Sequence, residues 1–163
     1  MTKVYTTRVG NGPLPTELKP EELARFPDHK AAREFGVTTG RKRRIGWLDT
    51  FLLRHTICLN GADSLALTKL DILDELDEIK ICTGYKHCRS FPATLQALTE
   101  AEPIYETHPG WKQSTKGVQV YKDLPSLAKG YLRRVEELCE VPISIVSVGP
   151  EREKTLWLDR FFE

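Results

Sequence analysis

The sequence predicts an α/β fold in which helices flank a mostly parallel sheet. Residues 64–70 and 142–148 are mostly apolar runs with the length of buried strands. Residues 78–85 alternate as a half-buried strand does, and residues 103–107 are a further candidate. Residues 125–139 carry apolar side chains at the spacing of an amphipathic helix. Strands that alternate with helices indicate parallel pairing, and a length of 163 residues suits a single domain.

The first part of the chain shows weaker patterns. Residues 6–18 hold two glycines and two prolines, which predicts an irregular loop. Residues 20–33 indicate a short helical region that Pro27 interrupts. Residues 48–60 predict a helix, and Gly61 suits the position just after its end. The apolar face of this helix is expected to comprise Leu48, Phe51, Leu52, His55, Thr56 and Leu59.

Composition narrows the classes of function. The 24 lysines and arginines nearly balance the 23 aspartates and glutamates, so the net charge is +1. Proteins that bind nucleic acid usually carry a clear basic excess, and this balance disfavours that class. No window reaches the roughly 18 apolar residues of a membrane span, and the N-terminal residues lack a signal-peptide core. The four cysteines form no CxxC pair, which predicts reduced thiols in the cytoplasm and no metal site.

Lys69 and Asp71 follow the first apolar run. Alternate residues of a strand point the same way, so these two side chains are expected to share one side. A carboxylate can accept hydrogen bonds from the N1–H and N2–H₂ edge of guanine, a donor pair that adenine lacks, while a lysine stem covers the purine. At the end of another strand, Ser147 offers a donor and Gly149 lets a ligand approach the backbone. Taken alone, each motif fits solvated residues at an ordinary strand end better than it fits a ligand site.

Four consecutive cations, residues 41–44, follow a glycine in the run TTGRKRR. The hydroxyls of Thr38 and Thr39, the backbone N–H groups and the Arg41 guanidinium suit a carboxylate or a phosphate. In an extended segment Arg41 and Arg43 lie on one side and the other two cations on the opposite side. The run therefore indicates a site for a small anion or a solvated basic loop. An RNA-binding surface is the weakest of the three readings.

Five stretches, in this order, resemble adenylosuccinate synthetase: TTRVGNGPLPTEL, EFGVTTGRKRRIGWLD, NGADSLALTKLDILDELDEIKIC, EPIYETHPGW and VPISIVSVGPEREKT. Members of that family use GTP and Mg²⁺ to join IMP and L-aspartate, as a ligase of AMP biosynthesis. The γ-phosphate of GTP passes to O6 of IMP, and the aspartate amine then displaces it. The resemblance implies the C-terminal portion of this family's fold, which is similar to that of the P-loop NTPases.

The resemblance also implies roles for individual residues. The loop that closes over L-aspartate would comprise Val37, Thr38, Thr39, Gly40, Arg41, Lys42 and Arg43. IMP would be contacted by Arg41 and Val9. GTP would be contacted by Arg43 and, around the guanine base, by Lys69, Leu70, Asp71, Ser147, Val148 and Gly149. Lys42 and Arg44 would be structural or solvated.

The 163 residues differ from the family's sequences in the catalytic groups that they contain. The family's glycine-rich phosphate loop, its general-base aspartate, which also binds Mg²⁺, and its general-acid histidine have no counterpart here. We therefore expect no synthetase activity from this chain alone, and no catalytic residue or metal ligand in it. Its partner would be a separately encoded N-terminal half or a second copy in a homodimer. The alternative is a catalytically silent module that binds guanine nucleotide or serves in assembly.

Overall fold

The computed structural model describes residues 1–26, 34–36, 38 and 40–158. The strands are β1 (Thr2–Lys3), β2 (Tyr5–Arg8), β3 (Arg44–Asp49), β4 (Leu65–Thr68), β5 (Glu78–Tyr85), β6 (Pro103–Pro109), β7 (Ile143–Ser147) and β8 (Thr155–Trp157). The α-helices are α1 (Pro20–Leu23), α2 (Thr50–Asn60), α3 (Leu95–Thr99) and α4 (Ser126–Cys139). Short 3₁₀-helices span Leu70–Leu73, Tyr121–Asp123 and Arg152–Lys154.

The strands form two four-stranded sheets of mixed direction. The first has the order β1-β4-β7-β8, in which the first three strands are parallel and β8 is antiparallel to β7. The second has the order β2-β3-β5-β6, in which only the central pair β3 and β5 is parallel. The α/β class is confirmed, and the four strands predicted from the sequence are present as β4, β5, β6 and β7. In place of a single, mostly parallel sheet there are two sheets, and both are mixed because the outer strands β2, β6 and β8 are antiparallel to their neighbours.

A short N-terminal segment belongs to both sheets. Its first strand pairs with β4, and the buried Val4 then donates its N–H to the Thr68 carbonyl at 3.0 Å. Directly afterwards Tyr5 pairs with Trp47 in the second sheet. The Tyr131 hydroxyl of α4 donates to the Val4 carbonyl at 3.2 Å, so a helix also holds this crossing. The sequence indicated an irregular loop from residue 6, and the structure instead continues β2 as far as residue 8.

Helix α2 begins two residues later than the sequence predicted. Leu48 is the penultimate residue of β3, and Asp49 is the N-cap, whose carboxylate accepts the Leu52 N–H at 2.9 Å. Such a cap satisfies a backbone donor that the first turn leaves without a helical partner. Gly61 ends the helix in the left-handed conformation, with φ of 56°, as the sequence predicted.

The buried face of α2 differs from the predicted face. Thr50 and Ile57 are buried, whereas Leu59 is 72% exposed and His55 is also exposed. His55 stacks on Phe91 with 4.9 Å between ring centroids, so its partner is an aromatic ring at the surface. The helix therefore packs through a narrower apolar stripe than the one the sequence suggested.

Helix α4 follows its prediction closely. Its buried face comprises Ala128, Tyr131, Leu132, Val135 and Cys139, and these join one core cluster with residues of both sheets. Leu127, which the pattern assigned to that face, is 44% exposed. The helical region expected at residues 20–33 is present as α1 over its first four residues. Residues 27–33 lie outside the described part of the chain.

A close backbone approach explains the glycine after β6. Gly110 donates its N–H to the Asp77 carbonyl at 2.8 Å. A Cβ atom at this position would lie 1.7 Å from the Leu76 carbonyl oxygen, well inside van der Waals contact. Only glycine leaves room for this approach between the end of β6 and the segment before β5.

Candidate functional site

The carboxyl ends of β4 and β7 meet because these strands are parallel neighbours. A cleft of about 400 Å³ opens at this edge of the first sheet. Lys69 and Asp71 line it from the β4 side, and Ser147 and Gly149 line it from the β7 side. Four residues that the sequence singled out in two distant motifs therefore share one cleft. Ligands of α/β sheets bind at such strand ends.

The backbone reaches this cleft by a route that the sequence did not reveal. Strand β4 stops at Thr68, and Lys69 adopts the left-handed conformation with φ of 66°. Asp71 then lies in the first turn of the 3₁₀-helix Leu70–Leu73. Lys69 and Asp71 therefore do not lie on the face of one strand, and that prediction is wrong. Both side chains line the cleft because the chain turns sharply between them.

Leu70 and Val148 are fully buried, so their side chains belong to the core and not to the cleft. The Val148 N–H donates to the Lys154 carbonyl at 2.9 Å. At Gly149 a Cβ atom would lie 3.0 Å from the Lys154 side chain, so packing within the chain already favours glycine there. At the cleft, any contact from Leu70 or Val148 must come from the backbone.

Asp71 is the half-buried carboxyl group of the cleft. Burial raises its pKa, and the nearby Asp74 carboxylate raises it further. Asp74 itself is buried and accepts hydrogen bonds from Trp111 Nε1 at 2.8 Å and from the Thr115 backbone N–H at 2.7 Å. Asp74 thus makes its hydrogen bonds in the interior, whereas Asp71 lines the cleft.

A buried carboxylate beside the cleft connects it to the cationic run. Glu34 is fully buried and accepts hydrogen bonds from four side chains. Its Oε1 accepts from the Tyr5 hydroxyl at 2.6 Å and from Lys69 Nζ at 2.7 Å. Its Oε2 accepts from Lys3 Nζ at 3.0 Å and from Arg43 Nη1 at 3.2 Å. We call these five residues the Glu34 cluster.

Burial and ion pairing both shift the pKa values of the Glu34 cluster. Burial alone would raise the pKa of Glu34, but the hydrogen bonds from Lys69, Tyr5 and Lys3 outweigh it and bring the pKa to about 2. Burial lowers the pKa of Lys3, and the neighbouring cations Lys69 and Arg43 lower it too. The hydrogen bond and the charge of Glu34 raise it, but by less. Among the described residues, three cations therefore donate to this one carboxylate.

The loop that carries the cationic run is closed by backbone hydrogen bonds. Gly36 donates to the Arg41 carbonyl at 2.8 Å, and Gly40 donates to the Gly36 carbonyl at 2.8 Å. Arg43 donates its N–H to the Glu34 carbonyl at 3.0 Å. Gly40 has φ of 62°, a conformation that glycine adopts without strain. The two arms of the loop thus meet at Glu34.

The side chains of this loop differ in their exposure to solvent. Among the described residues of this loop, Thr38, Arg41 and Lys42 are exposed, and Arg43 reaches into the Glu34 cluster. Val37 and Thr39, which the resemblance assigns to the aspartate loop, lie outside the described residues. The exposed guanidinium at position 41 is accessible to a ligand at this surface.

Arg44, for which the sequence left a structural or a solvated role open, holds a neighbouring loop in place. Its guanidinium donates to both oxygens of Glu17, at 2.7 and 2.5 Å, and to the Gly12 carbonyl at 2.6 Å. These bonds hold the loop that follows β2. Val9 lies at the start of that loop and is 69% exposed. The four cations therefore separate into one in the Glu34 cluster, one that holds a loop, and two at the surface.

Sequence reasoning did not find Glu34, Lys3 or Tyr5. A single glutamate ahead of a cationic loop looks like an ordinary solvated residue, and its partners lie 29 to 35 positions away, except for Arg43.

Across the described residues, no three His, Cys, Asp or Glu side chains lie close enough to hold a metal ion. No helix in the same part of the chain is long and apolar enough to cross a membrane.

Comparisons with known proteins identify the family. A family model described as adenylosuccinate synthetase matches residues 1–156. The chain is 51% identical over 166 residues to adenylosuccinate synthetase of Desulforapulum autotrophicum, and 52% identical over 165 residues to that of Caldanaerobacter subterraneus subsp. tengcongensis. Each match covers 99% of this chain and 38% of the relative, so the chain spans well under half of their length.

A solved structure shows the same relationship. The structure of fully ligated adenylosuccinate synthetase from Plasmodium falciparum matches with a TM-score of 0.88 and 35% sequence identity. The match covers 97% of this chain and 39% of that one. Both the sequence and the arrangement of the strands therefore point to one origin, and the chain belongs to the adenylosuccinate synthetase family, a family of ligases.

Proposed function

We propose that this chain supplies the guanine-nucleotide site and the L-aspartate loop of an adenylosuccinate synthetase. The reaction is the GTP-dependent joining of IMP and L-aspartate. The observation that carries the proposal is the cleft of about 400 Å³ with Lys69, Asp71 and Ser147 around it. Pockets for small ligands usually have volumes of about 300–1,000 Å³, so a purine base fits this space.

Recognition of guanine follows from the chemistry of Asp71. Its two carboxylate oxygens accept the N1–H and N2–H₂ donors of guanine as a pair, and both bonds are charge-assisted. Adenine presents an acceptor at N1 and no amino group at C2, so the same carboxylate would meet a lone pair. The aliphatic stem of Lys69 covers one face of the base, and the Ser147 hydroxyl adds a polar contact. The cleft thus selects a base by hydrogen bonding and holds it by packing.

The substrate loop binds by a second kind of contact. Arg41 is exposed on the closed loop and suits one carboxylate of L-aspartate by two parallel N–H···O bonds. Thr38, together with Val37 and Thr39, completes the loop according to the family resemblance. Arg41 and Val9 also contact IMP in this proposal, and Arg43 lies towards GTP. Mg²⁺ belongs to the complete reaction, in which it neutralises phosphate charge, and these residues orient the base and the amino acid.

We further propose that these 163 residues bind nucleotide but do not turn it over. Phosphoryl transfer needs positioned phosphates and a group that activates the acceptor oxygen, which family members hold in regions beyond the match. A separately encoded N-terminal half, or a second copy of the chain, would be the partner that restores activity. Incubation with GTP, IMP, L-aspartate and Mg²⁺ is expected to yield no adenylosuccinate by chromatography. Product formation at a rate above the uncatalysed background would contradict this part.

The guanine site is tested by calorimetry with GDP and ADP. The wild-type chain is expected to bind GDP more tightly than ADP. Asp71→Asn should reduce the preference by about 10- to 100-fold, since a hydrogen bond to a charged group contributes about 1.5–3 kcal/mol. Asp63→Asn is the matched control, because Asp63 is an exposed aspartate just before β4.

A change of base sharpens this test. Xanthine presents N1–H and a C2 carbonyl, which an asparagine amide matches with one acceptor and one donor. Asp71→Asn is therefore expected to gain affinity for xanthosine diphosphate while it loses affinity for GDP. Equal responses of the wild type to GDP and ADP would overturn the guanine proposal. Retention of full GDP preference by Asp71→Asn would remove Asp71 from it.

A further inference from the structure

The Glu34 cluster shares members with both parts of the proposed site. Lys69 lines the guanine cleft, and Arg43 ends the loop that carries the aspartate-binding residues. The Lys69 ammonium and the Arg43 guanidinium reach the same carboxylate, at 2.7 Å and 3.2 Å. The Glu34 side chain is fully buried, whereas each of these two cations is 28% exposed. Glu34 is therefore the inner, fixed end of both ion pairs.

We propose that Glu34 is a positioning residue. Its carboxylate holds Lys69 against the guanine and holds Arg43 at the end of the loop, so that one residue orients both parts of the site. The identity of the ligand in this inference rests on the proposed function. Glu34 itself is buried and touches no ligand in this arrangement. It acts through the residues that it orients.

Fixing Lys69 matters because a lysine side chain is long and flexible. An unrestrained lysine loses much rotamer freedom when it packs over a base, and this loss weakens binding. In the structure, the Glu34 carboxylate and the ring of Tyr5, whose centroid lies 5.8 Å from Lys69 Nζ, already hold the ammonium. Part of the ordering is thus complete before a nucleotide arrives. Loss of Glu34 is expected to release the lysine stem from the wall of the cleft.

The chemistry of the cluster favours positioning over a purely structural role. A buried carboxylate is desolvated at high cost, and an apolar core of equal volume stabilises a fold as well or better. Glu34 nevertheless keeps a buried charge here, and two of its donors, Lys69 and Arg43, belong to the two parts of the proposed site.

The test uses Glu34→Gln, which keeps the shape of the side chain and removes its charge. Glu22→Gln is the matched control, because Glu22 also accepts from a lysine and an aromatic N–H, Lys80 at 2.6 Å and Trp47 at 3.1 Å. Two quantities are measured for each variant at neutral pH. One is the dissociation constant of GDP, corrected for the folded fraction. The other is the rate at which acetic anhydride labels the Lys69 amine, read by mass spectrometry relative to an exposed lysine, Lys122.

We expect Glu34→Gln to weaken GDP binding by about ten-fold or more and to speed Lys69 labelling by about three-fold or more, because the preorganisation of the amine is lost. Glu22→Gln should change neither quantity. A structural role alone would lower the folded fraction and leave the affinity of the folded molecules unchanged. Unchanged GDP affinity, or unchanged labelling of Lys69, would overturn the inference.

Two further outcomes also test the role of Glu34. If the wild-type chain does not bind GDP, the proposed function falls, and Lys69 labelling alone decides whether Glu34 positions this lysine. If Glu34→Gln does not fold, Glu34→Asp replaces it, since aspartate keeps the charge but withdraws the carboxylate by one methylene. Faster labelling and weaker GDP binding in Glu34→Asp support the inference. Wild-type values for both overturn it.

Discussion

Glu34 is expected to make the stability of this chain depend on acid in a defined window of pH. The perturbation is Glu34→Gln, compared with the wild type from pH 7 down to pH 3. The pKa of Glu34 falls from 4.5 in the unfolded chain to about 2 in the folded one. A lowered pKa means that the stabilisation is fully present above pH 4.5 and is lost as the pH falls towards 2.

The magnitude follows from the two pKa values. Each tenfold difference in acid dissociation between the folded and unfolded states corresponds to about 1.4 kcal/mol, so ionised Glu34 contributes about 3 kcal/mol at neutral pH. Roughly 2 kcal/mol of this is lost by pH 3, where the unfolded chain is already protonated and the folded chain mostly is not. Glutamine does not titrate. The difference in unfolding free energy between wild type and variant should therefore shrink by about 2 kcal/mol over this range.

The assay is urea unfolding followed by tryptophan fluorescence. Trp47 and Trp111 are buried, so their emission reports the loss of packing. Free energies are extrapolated at each pH with a shared m-value, and only the difference between the two proteins is used. Carboxyl groups elsewhere that titrate in the same range, such as Glu17 and Glu106, contribute equally to both curves and cancel.

Parallel curves would refute the reasoning. If the difference between wild type and Glu34→Gln stays within about 0.5 kcal/mol from pH 7 to pH 3, Glu34 does not titrate as a buried, ion-paired carboxylate. A difference that grows towards acid would mean that its pKa is raised by burial, and that the four donors do not outweigh desolvation. Either result would also weaken the geometric basis of the Glu34 cluster.

Two other predictions follow from packing and exposure. Gly110→Ala is expected to destabilise the fold by about 1–3 kcal/mol or more in urea unfolding, since its Cβ would strike the Leu76 carbonyl. Gly130→Ala in α4 has open space and should stabilise by about 0.5–1 kcal/mol, so equal effects of the two changes would contradict the model of close approach. Burial raises the pKa of Cys82 to about 12, so a thiol reagent at pH 8 should modify the exposed Cys58 first and Cys82 only on unfolding. Rapid reaction of Cys82 in the folded chain would show that β5 is not buried as described.

The elements that the sequence predicted well are those in which one periodicity dominates. Helix α4 and strand β5 each have a clear apolar spacing, and their bounds agree with the prediction within about one residue. Strand β3 was missed because Trp47 and Leu48 fit the start of a helix as well as the end of a strand. The cap formed by Asp49 decides between them, and that cap depends on where the strand ends. Strands β1 and β8 are too short for any periodicity and exist through their pairing with distant strands.

The candidate site was predictable in part for a related reason. The two motifs at the ends of β4 and β7 are local, and the rule for parallel strands brings them together. The left-handed turn at Lys69 had no signal, since glycine or asparagine usually marks such a conformation. The role of Glu34 depends on donors from three separate segments of the chain. No local pattern connects residues that meet only after folding.

Residues 2–8 pair with strands of both sheets, and this affects the order in which the chain folds. Thr68 Oγ1 bonds the Thr2 carbonyl from 66 residues away, and the Tyr131 hydroxyl bonds the Val4 carbonyl from 127 residues away. Contacts this distant in sequence form slowly, because a long loop must close before they are made. Lys3 and Tyr5 reach Glu34 only when this segment docks between the sheets. The proposed nucleotide site is thus completed late. A chain with most of its helices and strands in place would still lack the Glu34 cluster until its first residues pair with both sheets.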